Sequence, residues 1–156
     1  MDADQAGTEL ADLVTPRGVI AQLRAPTKRQ VLQELARRAA TVTGLADKRI
    51  YDALAERERL GTTGIGAGVA VPHCRLPELT RLHGMFARLE RPVPFEAIDD
   101  QPVDLVFLLL APSEAGAEHL KALARVSRLL RDKAMCEKLR GANSADALYA
   151  LLTGGC

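Results

Sequence analysis

The chain's 156 residues make one domain, and a hydrophobic content of 47% fills a single core, which excludes a two-domain machine with separate substrate and cofactor halves. Lys plus Arg number 21 against 20 for Asp plus Glu, so a net charge of +1 supplies no global field for nucleic acid or an anionic membrane, and any charge logic is local. With no Trp, two Tyr and three Phe, the chain has few platforms for stacking bases; phosphate chemistry, which needs no aromatic rings, stays open.

Residues 1–7 are polar and predict a flexible arm ahead of a domain over 8–153. The acidic start Met1-Asp2-Ala3-Asp4 has neither the basic nor the apolar region of a signal peptide, which predicts a cytoplasmic protein. A short apolar stripe from Glu9 to Val14, expected as helix, ends at Pro16, and Val19 to Leu23 reads as a first strand closed by Pro26. Thr27 is placed to cap a helix with Val31, Leu32, Leu35 and Ala39 on one face and Gly44 past its end. Asp47 is placed to cap a second helix with Ile50, Ala53 and Leu54 inward and Asp52, Glu56, Arg57, Glu58 and Arg59 outward, stopping at Gly61.

A glycine-rich stretch from Gly61 to Gly68 then leads into a short apolar strand, Val69 to Val71, followed by Pro72. Leu82 to Leu89 alternates as a strand does, and Val103 to Leu110 is a near-continuous apolar run suited to burial on both faces. That run, extended to Pro112, contains Asp104 and falls short of the roughly 20 residues a membrane span needs, so no membrane insertion is expected. Glu118 to Arg131 carries Leu120, Leu123, Val126 and Leu130 as a helical stripe; Cys136 and Leu139 sit in a short helix, and Asn143 or Ser144 caps a last one through Leu152. The order predicts an α/β fold with a single mixed parallel/antiparallel sheet flanked by helices on both sides. The antiparallel part is expected where Val69–Val71 and Leu82–Leu89 are joined without a helix.

The glycine stretch is not a nucleotide loop. No Gly-Lys-Ser/Thr follows it, and Gly64-Ile65-Gly66-Ala67-Gly68 lies after a helix and before a strand, the reverse of the dinucleotide context. Two readings remain: the glycines make turns, or they expose backbone N–H groups to an anion or an approaching chain. His73, after a strand and a proline, stands at a sheet edge where a neutral imidazole can act as a nucleophile near pH 7, although a lone histidine is more often a structural residue. His119 falls just beyond the C-terminal end of the buried run, where open α/β sheets put their sites, or else at the core's edge. His83 has no acid or glycine loop beside it and reads as structural. Arg57 lies in a charge run that is either a solvated face or the source of a guanidinium for a dianionic phosphoryl group. Cys74 points to the opposite strand face from His73, so the two do not form a thiol–imidazole pair. Cys74, Cys136 and Cys156 lack C-x-x-C spacing and predict neither a disulfide framework nor a zinc site.

The string Glu56-Arg57-Glu58-Arg59-Leu60-Gly61-Thr62-Thr63-Gly64-Ile65-Gly66-Ala67-Gly68-Val69-Ala70-Val71-Pro72-His73 resembles the signature of the fructose and mannitol type enzyme IIA of the bacterial phosphoenolpyruvate phosphotransferase system. The stretches Gln101 to Pro112 and Glu118 to Ala124 resemble that family's second block, in the same order and spacing, and the likeness runs over most of residues 8–152. Within the family the chain is most similar to the free-standing nitrogen-type enzyme IIA, with no permease or enzyme IIB part expected.

The resemblance implies a phosphocarrier without metal or cofactor. His73 matches the histidine that accepts a phosphoryl group through Nε2 from an HPr-like carrier, the nitrogen-branch carrier NPr. His119 matches the second histidine, which positions the phosphoryl oxygens, and Arg57 the arginine that neutralises their charge. Thr63, Gly64, Gly66 and Gly68 match the loop that supplies hydroxyl and backbone donors. Cys74 stands where the family carries a small residue and adds an oxidisable thiol, whose alkylation is expected to obstruct carrier docking. The implied output is regulatory, through potassium transporters and sensor kinases; the alternatives are a sugar-specific enzyme IIA feeding a IIB subunit and a binding module that no longer receives phosphate.

Overall fold

The computed structural model describes residues 10–154. The expectations for Glu9, for the 1–7 arm and for Cys156 lie outside the described residues; the rest of the helix expected up to Val14 is corrected to a turn, closed by bonds from Leu13 N and Val14 N to the Leu10 carbonyl, that leads straight into a strand. Six strands, β1 (Val14–Leu23), β2 (Gly64–Gly66), β3 (Val69–Ala70), β4 (His73–Leu76), β5 (His83–Val93) and β6 (Val103–Pro112), form one sheet. Its helices are α1 (Lys28–Thr43), α2 (Asp47–Leu60), α3 (Ala117–Arg131), α4 (Lys133–Gly141) and α5 (Ala145–Thr153).

The sheet runs β1-β5-β6-β3-β2, with β4 also on β6. β1 is parallel to β5, β5 antiparallel to β6, and β3 and β4 parallel to β6. The mixed sheet is therefore as expected, but the antiparallel partner of β5 is β6. β3 and β4 lie in succession along the other side of β6, pairing Leu105–Val106 and then Leu109–Pro112, with Val71 and Pro72 between them.

Strand alternation divides the core. Val106, Leu108 and Leu110 pack toward α1 and α2, with Val31, Leu35, Ile50 and Leu54; Leu105, Phe107 and Leu109 pack toward α3, α4 and α5, with Val126, Leu130, Leu139 and Leu148. Helices thus cover both faces, and β6 is buried on both. Truncating the fully buried Phe107 to Ala removes about 3–5 kcal/mol.

Local chemistry sets the boundaries. Thr27 accepts a hydrogen bond from Gln30 N at 3.1 Å and Gly44 ends α1 in the left-handed region, as the sequence predicts. Ser144, rather than Asn143, caps α5 through Ala147 N. Asp47 is the first residue of α2, not its cap: Ala46 holds that position without a side-chain bond. The first strand is longer than expected, running from Val14 through Pro16, because β1 is an edge strand whose register shifts there and Pro16 breaks no ladder. On α3 the buried stripe is His119, Ala122, Val126, Leu129 and Leu130, and Leu120 is corrected to the surface at 64% exposure, one residue off the stripe. No helix among the described residues is long and apolar enough to cross a membrane.

Candidate active site

β4 carries the first site residue. Val71 N donates to the Thr63 carbonyl at 2.9 Å and Leu109 N to the Pro72 carbonyl at 3.0 Å, so the chain around Pro72 is held on both sides as it enters β4. His73 Nδ1–H then donates to the Val71 carbonyl at 2.8 Å. A backbone carbonyl only accepts, so the neutral ring carries its proton on Nδ1 and its lone pair on Nε2. The Nε2 lone pair receives a hydrogen bond from Arg57 Nε at 3.3 Å. Burial, with the Arg57 guanidinium as a further cause, holds the His73 pKa below the ordinary imidazole value, which keeps the ring neutral near pH 7.

Arg57 comes from the last turn of α2, and its Nη1 donates to the Gly61 carbonyl at 3.0 Å, tying the guanidinium to the helix end. The neighbouring Glu58 is corrected from the expected outward face: its side chain is 8% exposed. It accepts from Thr63 N at 3.0 Å and Thr63 Oγ1 at 2.5 Å and pairs with Lys28 Nζ at 3.1 Å. Lys28 also lies 4.9 Å from the centre of the Phe95 ring.

His119 sits in the first turn of α3, delivered by the end of β6 to the same place. Its ring centre is 5.7 Å from that of His73, with 77° between the ring planes. Arg75 Nε donates to His119 Nδ1 at 3.0 Å. His119 Nε2 is buried and has no hydrogen-bond partner among the described residues. Burial first, then the neighbouring His73 and Arg75, push the His119 pKa down to about 4. Both histidines line an open cleft of about 670 Å³ whose rim includes Arg57, Leu60, Arg75 and Leu120.

The glycines lie elsewhere. Ala67 and Gly68 both have positive φ, the combination a tight two-residue hairpin between β2 and β3 needs. The turn is held by Asp99, which accepts from Ala67 N at 2.9 Å, and by Arg140, which donates to Ala67 O at 2.9 Å. Gly66 faces Asp99, and Gly68 faces Arg140 and Asp104. Gly64 is required by close approach: a Cβ there would stand 2.8 Å from that of Ala97. None of Thr63, Gly64, Gly66 and Gly68 lines the cleft, and the Thr63 hydroxyl is engaged by Glu58. Cys74 lines the cleft beside His73 but is 7% exposed, and burial pushes its thiol up to about 12, which leaves little thiolate for modification.

His73, His119 and Arg57 are thus brought together as expected. Sequence reasoning missed Arg75 and Glu58, though both had a signal: Arg75 is two residues from His73 on one strand face, and Glu58 is one helical turn from buried Leu54.

Residues 12–154 match the model of the family described as the phosphoenolpyruvate-dependent sugar phosphotransferase system, EIIA 2. The chain belongs to this family. A nitrogen regulatory protein of Bradyrhizobium diazoefficiens is 53% identical over 143 residues, spanning 92% of this chain and 94% of that protein. Nitrogen regulatory protein IIA-Ntr of Neisseria meningitidis has a similar structure, with a TM-score of 0.87 at 32% identity over 91% of this chain and 97% of that one. The mannitol IIA of Escherichia coli shares the fold, with a TM-score of 0.72 at 21% identity over 88% and 97% of the two chains.

Proposed function

We propose that this family member is a histidine phosphocarrier with a regulatory output, in which His73 Nε2 accepts a phosphoryl group from the phosphohistidine of an HPr-like carrier such as NPr. The observation that carries the reading is the 2.8 Å bond from His73 Nδ1 to the Val71 carbonyl, which leaves the lone pair on Nε2 in an open cleft. That lone pair attacks phosphorus as the donor's N–P bond breaks, and the bonding electrons return to the donor ring. The Nδ1–H stays on its carbonyl and spreads the positive charge that the ring gains. No proton need be removed first, so the site needs a neutral imidazole rather than a general base.

Arg57 then turns from Nε2 to the phosphoryl oxygens, where a guanidinium pairs well with a dianion. The buried His119 Nε2–H gains an acceptor in the same oxygens, a preorganised donor of the kind that stabilises charge in transfer. Thr63 and the glycines act indirectly: they shape the hairpin and the Glu58 contact that hold the end of α2.

Phosphorylation adds about two negative charges to a cleft framed by arginines, which changes the partner surfaces that fit. The regulatory output is supported by the nitrogen regulatory protein that is 53% identical over most of both chains. Potassium transporters and sensor kinases are the proposed targets. The test is intact-mass spectrometry after incubation with phosphoenolpyruvate, enzyme I and the carrier. One acid-labile phosphoryl group is expected on the wild type and none on His73→Ala; no gain with a carrier that phosphorylates a control enzyme IIA contradicts the proposal. With a IIB subunit added to this mixture, onward transfer to it instead identifies a sugar-specific enzyme IIA.

A further inference from the structure

We propose that Arg75 is a positioning residue that fixes the ring tautomer of His119, so that the proton sits on the Nε2 facing the phosphoryl site. The inference rests on the phosphocarrier reading for its consequence, but not for its geometry.

Strand alternation puts His73 and Arg75 on one face of β4 and Cys74 and Leu76 on the other. The β4–β6 register continues through Arg75 opposite Ala111 and Leu76 opposite Pro112, so this face points to where the chain leaves β6 for α3. His119 comes down there, and Arg75 Nε reaches its Nδ1 at 3.0 Å. A guanidinium only donates, so a neutral His119 ring held in this bond accepts at Nδ1 and carries its hydrogen on Nε2. Arg75 has no carboxylate partner among the described residues, so no ion pair competes for the contact.

The opposite tautomer would set the Nδ1–H against the guanidinium and turn a lone pair from Nε2 toward the phosphoryl oxygens, where two acceptors would meet. The unpartnered His119 Nε2 is explained on the same footing: a buried donor without a partner is costly unless a ligand supplies an acceptor. Arg75 therefore acts through His119, as Val71 acts through His73. The two rings carry their protons on opposite nitrogens, so of two histidines that line the same cleft one has a lone pair on Nε2 and the other a hydrogen.

The test is long-range ¹H–¹⁵N correlation of the imidazole nitrogens on the unphosphorylated full chain at pH 7.5 or thereabouts, for wild type, Arg75→Leu and Arg75→Lys. The wild type is expected to show His119 with a protonated Nε2 and an accepting Nδ1. Arg75→Leu is expected to show a mixture of tautomers at His119 with the His73 pattern unchanged, which serves as the folding control. Phosphoryl uptake in Arg75→Leu should fall by about tenfold, the effect of losing one oriented donor, and Arg75→Lys, which keeps a cationic donor, should recover part of it. A protonated Nδ1 on wild-type His119, or an unchanged Nε2–H tautomer in Arg75→Leu, overturns the proposal. If the tautomers behave as stated and no carrier phosphorylates the wild type, the positioning of His119 by Arg75 is supported and the phosphocarrier reading alone fails.

Discussion

The rings of His73 and His119 stand edge to face, with centres 5.7 Å apart, although 46 positions separate the residues in sequence and each comes from a different end of the sheet connections. β4 brings one and the turn after β6 brings the other; the parallel β4–β6 pairing makes them neighbours. A ring with its lone pair on Nε2 next to a ring with a buried Nε2 suits a group that is attacked at its centre and held at its oxygens.

His119→Ala is expected to slow phosphoryl uptake by about 10²-fold while leaving the final stoichiometry at one phosphoryl group, because a charge-stabilising donor is lost and the nucleophile remains. Rapid-quench kinetics with a fixed carrier concentration measure the rate. An unchanged rate assigns His119 a packing role alone.

Stability should fall as the medium is acidified from about pH 6.5, because the unfolded chain then binds protons at its histidines while the folded chain resists them. Burial, together with His73 and Arg75, pushes His119 to about 4, and burial also lowers His73, so the folded state takes up these protons later than the unfolded one. The contribution of His119 is complete above about 6.5, declines through the window and is gone below about 4. Denaturant titrations from pH 7 to pH 4 on wild type and His119→Gln check this. The variant should show a shallower decline, and an equal slope contradicts the assignment.

Glu58→Ala should destabilise the chain by about 1–3 kcal/mol, since it removes one of the two carboxylates paired with Lys28 and the acceptor for both Thr63 groups. A double-mutant cycle with Lys28→Met should return a coupling of about 1–3 kcal/mol by chemical denaturation. A coupling near zero shows that Lys28 is held by Glu96 and Phe95 instead.

Cys74 should resist alkylation in the folded protein at pH 8, since burial pushes its thiol up to about 12 and leaves little thiolate. Peptide mapping after brief iodoacetamide treatment, with and without denaturant, separates its reactivity from that of the other cysteines. Cys74→Ala should keep the phosphoryl uptake rate within about twofold, because the side chain packs toward the α1 and α2 core and a small residue fits there at a cost of about 1 kcal/mol.

Periodicity and punctuation made the layers legible. Thr27 and Gly44 announced α1, and the unbroken apolar run of β6 announced a strand buried on both faces. The pairing was less legible: nothing between residues 71 and 83 states that β4 and β5 lie on opposite sides of β6, because that depends on which strand edges remain free once the helices pack. Pro16 hid the first half of β1, since a proline is tolerated only where the ladder has no need of its N–H. At the site, His73, His119 and Arg57 were legible through their likeness to a family, whereas Glu58 was hidden inside a charge run that has the composition of a solvated face. The glycine loop was the least legible part, because glycines that allow a positive φ and glycines that admit a ligand look alike in sequence; Asp99, Ala97 and Arg140 packed against them show what the hairpin requires of them.

On the proposed function, His73 Nε2 is the atom that takes the phosphoryl group. The direct measurement is ¹H–¹⁵N and ³¹P correlation on the ¹⁵N-labelled chain after phosphorylation by enzyme I and the carrier. A phosphorus-coupled Nε2 on His73, with Nδ1 still protonated against the Val71 carbonyl, is the predicted result. A phosphoryl group on His73 Nδ1, on His119 or on any other residue would contradict it.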